Sequence, residues 1–261
     1  MALGAARAGS VEGVDDGADD ARLGMLARVT AAFAVEIDQR GPDAAIPWPL
    51  WPDAAALVDH LGRNHLWASG IVRTGGPVDR QTLSHAPRPG ARGWYTECRD
   101  ELLATLAEVP RDRACWTIGG RPGTASFWTR RMLYETTKHL IDLRAAGGGA
   151  WTAAPELAPV DYADAVDELF TVFLTRSAPG LEPLPSPLVL RMTDAPRSWR
   201  LGTDWTVTAD PDPLAVTLSA RAADLALALW ERADPLAADG RFTIEGDPEV
   251  VRALATAPIH P

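Results

Sequence analysis

The stretch SFWTRRMLYETTKHLIDLRAA, residues 126–146, decides how this chain is built. Trp128, Met132, Glu135 and His139 follow one another at steps of four, three and four residues, so they share one face of a helix. An acid and a histidine therefore interrupt an otherwise apolar seam. A buried carboxylate is costly unless it is paired or bound to a metal ion, which makes Glu135 a candidate functional residue.

Three segments upstream of this stretch show the same helical spacing of apolar residues. Proline and glycine without periodicity separate them, notably over 76–92 and 109–123, which are predicted to be irregular loops. Four helices of about 15 to 22 residues, joined by loops of moderate length, favour an antiparallel four-helix bundle. The predicted helices lie at about 21–39, 53–73, 94–108 and 125–146.

The character of the sequence changes after a fifth predicted helix at about 161–176. The segment APGLEPLPSP, residues 178–187, is rich in proline and is expected to link two domains. Beyond it, short β-branched runs alternate with turn residues and with two amphipathic segments, which is typical of an α+β domain. The predicted organisation is a disordered tail at 1–19, a helical bundle at 20–177 and a small α+β domain at 187–261.

Composition excludes several classes of protein. The chain has 25 Lys and Arg against 35 Asp and Glu, a net charge of −10, which disfavours nucleic acid and anionic membranes as partners. No apolar run is long enough to span a bilayer, and the first twenty residues do not read as a signal peptide. Cys98 and Cys115 cannot build a disulfide framework. We expect a cytoplasmic protein, a monomer or a small homo-oligomer.

Glu135 and His139 need a further ligand if they hold a metal ion. They are four residues apart on helix four, close enough around the helix to converge on one ion. Helix two offers His60 and His65, which lie on stripes about 140° apart. One straight helix cannot aim both at the same ion, and periodicity does not choose between them. Two histidines and one glutamate leave an open position on a zinc-like ion, as in catalytic sites.

Four segments carry a resemblance to a known family: WPDAAALVDHLGRNHLWASGIVR, FWTRRMLYETTKHLIDLRAA, LSARAADLALALWERADP and FTIEGDPEVVRAL. Together they resemble the mycothiol-dependent maleylpyruvate isomerase family of actinobacteria, a branch of the DinB-like metalloenzymes. The resemblance covers both domains in order, and it implies a DinB-like bundle whose metal ligands fall on His60, Glu135 and His139. Asp59 and Tyr134 depart from the family pattern, in which Ala and His are common, and neither is a ligand position.

The resemblance implies two cofactors, a divalent metal ion, expected to be zinc, and mycothiol as a low-molecular-weight thiol. The predicted activity is a thiol-dependent S-transfer or isomerisation of a small electrophilic metabolite, because a bound metal stabilises the thiolate. Arg130 and Arg131, one turn before the helix-four ligands, are the candidate catalytic cations for an anionic substrate. Two alternatives stay open: a hydrolase that uses metal-activated water, and a non-catalytic metal- or ligand-binding protein.

Overall fold

Helix α1 spans Asp16–Arg40 and begins about five residues before the predicted start at about residue 21. Asp19, inside the predicted tail, is 2% exposed and lies 3.1 Å from Arg22 in an ion pair. The predicted tail boundary at residue 19 is therefore wrong, because acidic residues that suggest a disordered tail are also favourable in the first turn of a helix. Residues 1–15 of the predicted tail lie outside the described residues. The computed structural model describes residues 16–87, 90–209 and 215–259.

Four helices form the N-terminal bundle, as predicted. Helix α1 packs mainly against α4, and α2 against α3. Helix α2 begins where Asp53 Oδ1 accepts a hydrogen bond from Ala56 N at 2.8 Å, and it ends at Gly75, whose φ of 78° is left-handed. Apolar side chains from all four helices fill the centre, among them Phe33, Leu61, Leu102 and Trp128. Helices α2 to α4 span Ala54–Thr74, Ala91–Glu108 and Ala125–Ala145.

The loop between α3 and α4 contains a short β-hairpin that the sequence analysis missed. Strand β1, Ala114–Trp116, pairs antiparallel with β2, Pro122–Thr124. Gly119, with a φ of 84°, takes the left-handed conformation in the turn between them. Strands of three residues are too short to show a period of two, so the prediction of an irregular loop is corrected here.

The fifth helix lies between the two domains. Helix α5, Pro159–Glu168, contacts helix α7, Ala222–Leu229, of the C-terminal domain on one side. On the other side, ion pairs tie it to α4. It continues through a π-helical segment, Leu169–Leu174, into the short helix α6, Thr175–Ser177. A π-helical turn is rare and is often found at functional sites.

The C-terminal domain is α+β, as predicted. Its five-stranded sheet has the order β5-β4-β3-β6-β7, with β3 and β6 parallel and the other neighbours antiparallel. Helices α7, Ala222–Leu229, and α8, Pro248–Thr256, pack against it. No helix within the described residues is both long and apolar enough to cross a membrane. The strands β3 to β7 span Leu188–Met192, Ser198–Leu201, Val207–Thr208, Val216–Ala220 and Thr243–Glu245.

Candidate metal centre

Helices α2 and α4 bring His60, Glu135 and His139 together inside the bundle. One ligand atom from each lies within 4.8 Å of the other two. Glu135 Oε1 is 3.2 Å from His60 Nε2 and 3.1 Å from His139 Nε2. Asn64, one turn after His60, donates from Nδ2 to the same Glu135 oxygen at 2.9 Å. The donor set is two imidazole nitrogens and a carboxylate, which suits a divalent ion such as zinc.

The protonation of His139 supports a cation at this position. Its Nδ1 lies 3.1 Å from Asp142 Oδ2, so Nδ1 carries the proton and donates it to the carboxylate. In the neutral imidazole, the lone pair of Nε2 then faces Glu135 Oε1, which is itself an acceptor. Two acceptors at 3.1 Å need a proton or a cation between them. The residues therefore fit a metal ion.

Electrostatics keep the ligands in the states that metal binding requires. Burial opposes a charge on Glu135, yet Lys138 and Arg131 hold the pKa of this carboxyl well below its usual range. Burial lowers the pKa of His60, which favours the neutral imidazole even though Glu135 acts in the opposite direction. A charged carboxylate and a neutral imidazole are the forms that bind metal.

His65, the other candidate on α2, lies elsewhere in the core. Its side chain is fully buried, and Nε2 lies 3.0 Å from Thr136 Oγ1. Burial lowers its pKa to about 3, so His65 is neutral in the folded protein. The structure thus places His60, and not His65, beside Glu135 and His139, and gives His65 a role in packing.

The C-terminal domain reaches the cluster through Arg232, just after α7. Arg232 donates from Nε and Nη2 to the two oxygens of Asp142, at 2.9 and 2.8 Å. Its guanidinium carbon lies 3.8 Å from the ring centroid of Trp48. Asp142 in turn holds His139, so a residue of the second domain supports a ligand in the first.

A cavity of about 430 Å³ opens beside the three ligands. Bundle helices, the loop before α2, the hairpin, the π-helical segment and the C-terminal domain all contribute to its wall. Aromatic and basic side chains dominate the lining, which suits a small ligand that carries negative charge. The lining residues besides the three ligands include Trp48, Trp51, Asn64, Trp67, Arg80, Arg131, Lys138, Phe173, Arg176 and Arg232.

The two predicted catalytic arginines have different positions. Arg131 lines the cavity, but it is buried and pairs with both Glu135 and Glu168. Burial raises the pKa of Glu168 to about 7, because Arg131 is shared with a second carboxylate and offsets only part of the penalty. Arg130 does not line the cavity.

Arg130 instead donates to Asp164 of α5, with Nη2 at 2.8 Å from the main-chain oxygen and 2.9 Å from Oδ1. The expectation that Arg130 supplies a substrate cation is therefore corrected: it ties α5 to α4. Consecutive helical residues point about 100° apart, so only one of the two arginines can face the site.

Sequence reasoning missed several residues at this site. Two of them had a feature in the sequence that weakly indicates the site. Asn64 follows His60 by four residues, on the same helix face, and Lys138 is the only lysine of the chain. Arg80 donates to Asn64 Oδ1 and lies 4.0 Å from the Trp67 ring centroid. Arg80 comes from a loop and Arg232 from the other domain. Neither has a periodic pattern that connects it to the ligands.

The fold and the cluster define a class: a four-helix bundle that contains a cluster of two histidines and a glutamate, with an appended α+β domain. The family model described as "Mycothiol maleylpyruvate isomerase N-terminal domain" matches residues 23–144, and the model described as "MDMPI C-terminal domain" matches 162–253. The chain therefore belongs to the mycothiol-dependent maleylpyruvate isomerase family, whose members are enzymes. The second match includes α5 and the predicted linker at 178–187.

Solved structures show the same fold. A histidine-to-alanine variant of the mycothiol-dependent maleylpyruvate isomerase superposes with a TM-score of 0.62 at 15% identity, over 87% of this chain and 92% of that chain. The unmodified form of that enzyme gives a TM-score of 0.60 at 16% identity with the same coverage. No curated protein matches the sequence significantly.

Proposed function

We propose that this protein is a metal-dependent and mycothiol-dependent S-transferase or isomerase that acts on a small electrophilic metabolite. The observation that carries the proposal is the meeting of His60, Glu135 and His139 at a cavity inside the bundle. Family membership supports the thiol and the reaction class, since the solved relatives are mycothiol-dependent maleylpyruvate isomerases.

The proposed roles follow from the contacts of each residue. His60, Glu135 and His139 would hold a divalent ion, which when bound keeps a small thiol in its thiolate form at neutral pH. The centroid of the Trp51 ring lies 4.2 Å from that of His60 and 5.8 Å from that of His139, so the indole packs beside both imidazoles. Asn64 and Lys138 fix the Glu135 carboxylate from either side.

The cavity is suited to two ligands of different chemistry. Its aromatic side chains offer flat surfaces to the sugar and inositol body of the thiol. Its basic side chains favour an anionic electrophile, such as maleylpyruvate, over a neutral one. In an isomerase, the covalent adduct of thiol and electrophile would rotate about the former double bond and then release the thiol. In an S-transferase, the adduct itself would be the product.

A thiol requirement tests this proposal. We expect turnover of maleylpyruvate with mycothiol, less with glutathione and none without thiol. Chelator treatment should abolish turnover, and added zinc should restore it. Undiminished turnover without thiol would overturn the proposal and favour metal-activated water. Stoichiometric metal without any turnover would favour a non-catalytic binding protein.

The protein's own cysteines provide a control for that assay. Cys98 and Cys115 are buried, and burial raises the pKa of both thiols, that of Cys98 to about 12. Neither lines the cavity. The double variant Cys98→Ser, Cys115→Ser is therefore expected to keep most thiol-dependent turnover, since the attacking sulfur comes from the added thiol.

A further inference from the structure

The cavity beside the candidate metal centre is basic, although the protein is acidic overall. The whole chain has a net charge of −10. Among the described residues that line the cavity, five carry positive charge and only Glu135 carries negative charge. Such a cleft concentrates anionic ligands. The five cations are Arg80, Arg131, Lys138, Arg176 and Arg232.

Four of these five cations already have partners in the protein. A guanidinium or ammonium that is paired with a protein group has fewer donors left for a ligand. The partners are Glu135 and Glu168 for Arg131, Glu135 for Lys138, Asp142 for Arg232, and Asn64 for Arg80.

Arg176 is the exception. Its side chain is exposed at the cavity, and within the described parts of the chain it has no hydrogen-bond or ion-pair partner. A free guanidinium presents five N–H donors in a planar fork that matches the two oxygens of a carboxylate. Arg176 is thus the lining cation with its full donor set available.

The hairpin turn fixes the position of Arg176. A Cβ on Gly119 would lie 3.2 Å from Arg176 Nε and 3.3 Å from its Cδ, so the arginine stem packs directly on the backbone of this turn. Ile118, next to Gly119 in the chain, and Phe173, three residues before Arg176, line the same cavity. The contact holds the guanidinium at the cavity because glycine has no side chain to displace it.

We propose that Arg176 is a specificity-determining residue that binds a carboxylate of the electrophile. The inference rests on the proposed function, and it narrows the substrate class to small electrophiles that carry a carboxylate away from the reacting carbon. Arg176 lies outside the cluster of His60, Glu135 and His139, so these ligands stay available when it is occupied. Its role is to select and orient the substrate.

Calorimetric titration of the full chain with succinate tests this assignment. Succinate is a small dicarboxylate that does not react with thiols. Arg176→Gln is expected to weaken binding about tenfold, the share of one charge-assisted contact at an exposed site. Arg176→Lys should bind more tightly than Arg176→Gln because the charge is kept. Added salt should weaken binding more in the unmodified protein than in Arg176→Gln.

Arg121→Gln is the matched control. Arg121 is an exposed arginine of the same hairpin, and it does not line the cavity. This variant should bind succinate as tightly as the unmodified protein. The proposal is overturned if Arg176→Gln binds normally, if Arg121→Gln loses as much affinity, if Arg176→Lys is no better than Arg176→Gln, or if the unmodified protein does not bind succinate.

The titration needs neither thiol nor turnover, so it separates this inference from the proposed function. Succinate binding that depends on Arg176, in a protein whose turnover needs no thiol, would overturn the proposed function and leave the anion site standing. Thiol-dependent turnover in a protein whose succinate binding does not depend on Arg176 would support the proposed function and overturn the assignment of Arg176.

Discussion

Arg232 of the C-terminal domain and Asp142 of α4 form a bidentate ion pair, with both residues buried. Burial opposes a charge on Asp142, yet hydrogen bonds from His139 and Arg232 hold the pKa of its carboxyl well below the usual range. The carboxylate therefore stays charged and keeps His139 Nδ1 protonated. The second domain thus sets the orientation of a candidate metal ligand in the first.

Removing Arg232 should weaken metal binding although all three ligands remain. Arg232→Ala leaves Asp142 without the partner that binds both of its oxygens, and His139 loses its fixed orientation. We expect metal affinity to fall about 10- to 100-fold, measured by competition with a chromophoric chelator. Arg252→Ala, which removes an exposed arginine paired with Glu249 on α8, serves as the control. Equal affinities in the two variants would contradict this account.

The two histidines of α2 should respond differently to substitution. Elemental analysis of protein purified without chelator is expected to show about one divalent ion per chain in the unmodified protein and in His65→Ala, and little in His60→Ala. His65→Ala should lower the free energy of unfolding by about 1 to 3 kcal/mol, because it empties a buried site and leaves Thr136 unpaired. Loss of metal in His65→Ala alone would reverse the assignment.

Helical periodicity in four segments was enough to predict the bundle, and the spacing along α4 was enough to pair Glu135 with His139, because these features follow from local helix geometry. It could not choose between His60 and His65, since that choice depends on which face of α2 meets α4. Arg232 and Arg176 come from separate elements far along the chain, and only tertiary structure brings them to the cavity. Local spacing carries no information about such contacts.

His65 should make the folded protein sensitive to acid. Its folded pKa is about 3, while an unfolded histidine has a pKa of about 6.5. Between these values the unfolded chain binds a proton that the folded chain does not, so stability falls as the pH drops through that window, by up to about 1.4 kcal/mol per pH unit. Above about pH 6.5, His65 is neutral in both the folded and the unfolded chain, so it does not make the free energy of unfolding depend on pH.

Urea unfolding of chelator-treated protein at several pH values between 7.5 and 4.5 measures this effect. His65→Gln has no titratable group at the position, so its stability should decline less steeply than that of the unmodified protein. Parallel curves for the two proteins would show that His65 does not remain neutral in the fold.

Gly62 is predicted to be required where α2 crosses α3. A Cβ at this position would lie 2.3 Å from Trp94 Cζ3, so alanine would overlap the indole ring. Overpacking costs about 1 to 3 kcal/mol, which exceeds the gain of about 1 kcal/mol in helix propensity. Gly62→Ala should therefore lower the Tm. Gly93→Ala in α3, where a Cβ meets nothing within 4 Å, should leave it equal or higher. A higher Tm for Gly62→Ala would contradict the packing.

Arg131 should prove to be a positioning residue for Glu135, because both of its carboxylate partners are buried with it. Arg131→Leu leaves Glu168 and Glu135 without their shared cation, and breaking a buried ion pair costs about 3 to 5 kcal/mol. Adding Glu168→Leu removes one of the unpaired carboxylates and should recover part of that stability. A double-mutant cycle on the free energy of unfolding measures the coupling between Arg131 and Glu168.

The same variants distinguish this role from the expectation that Arg131 binds substrate. If Arg131 only positions Glu135, the double variant should regain stability but not full metal content, and its KM for an anionic electrophile, measured with saturating metal, should stay near that of the unmodified protein. If Arg131 binds the substrate, stability returns while KM remains high. The structure favours the first outcome, since Glu135 and Glu168 both already accept hydrogen bonds from the Arg131 guanidinium. A raised KM in a stable, metal-loaded double variant would therefore show that Arg131 binds the substrate.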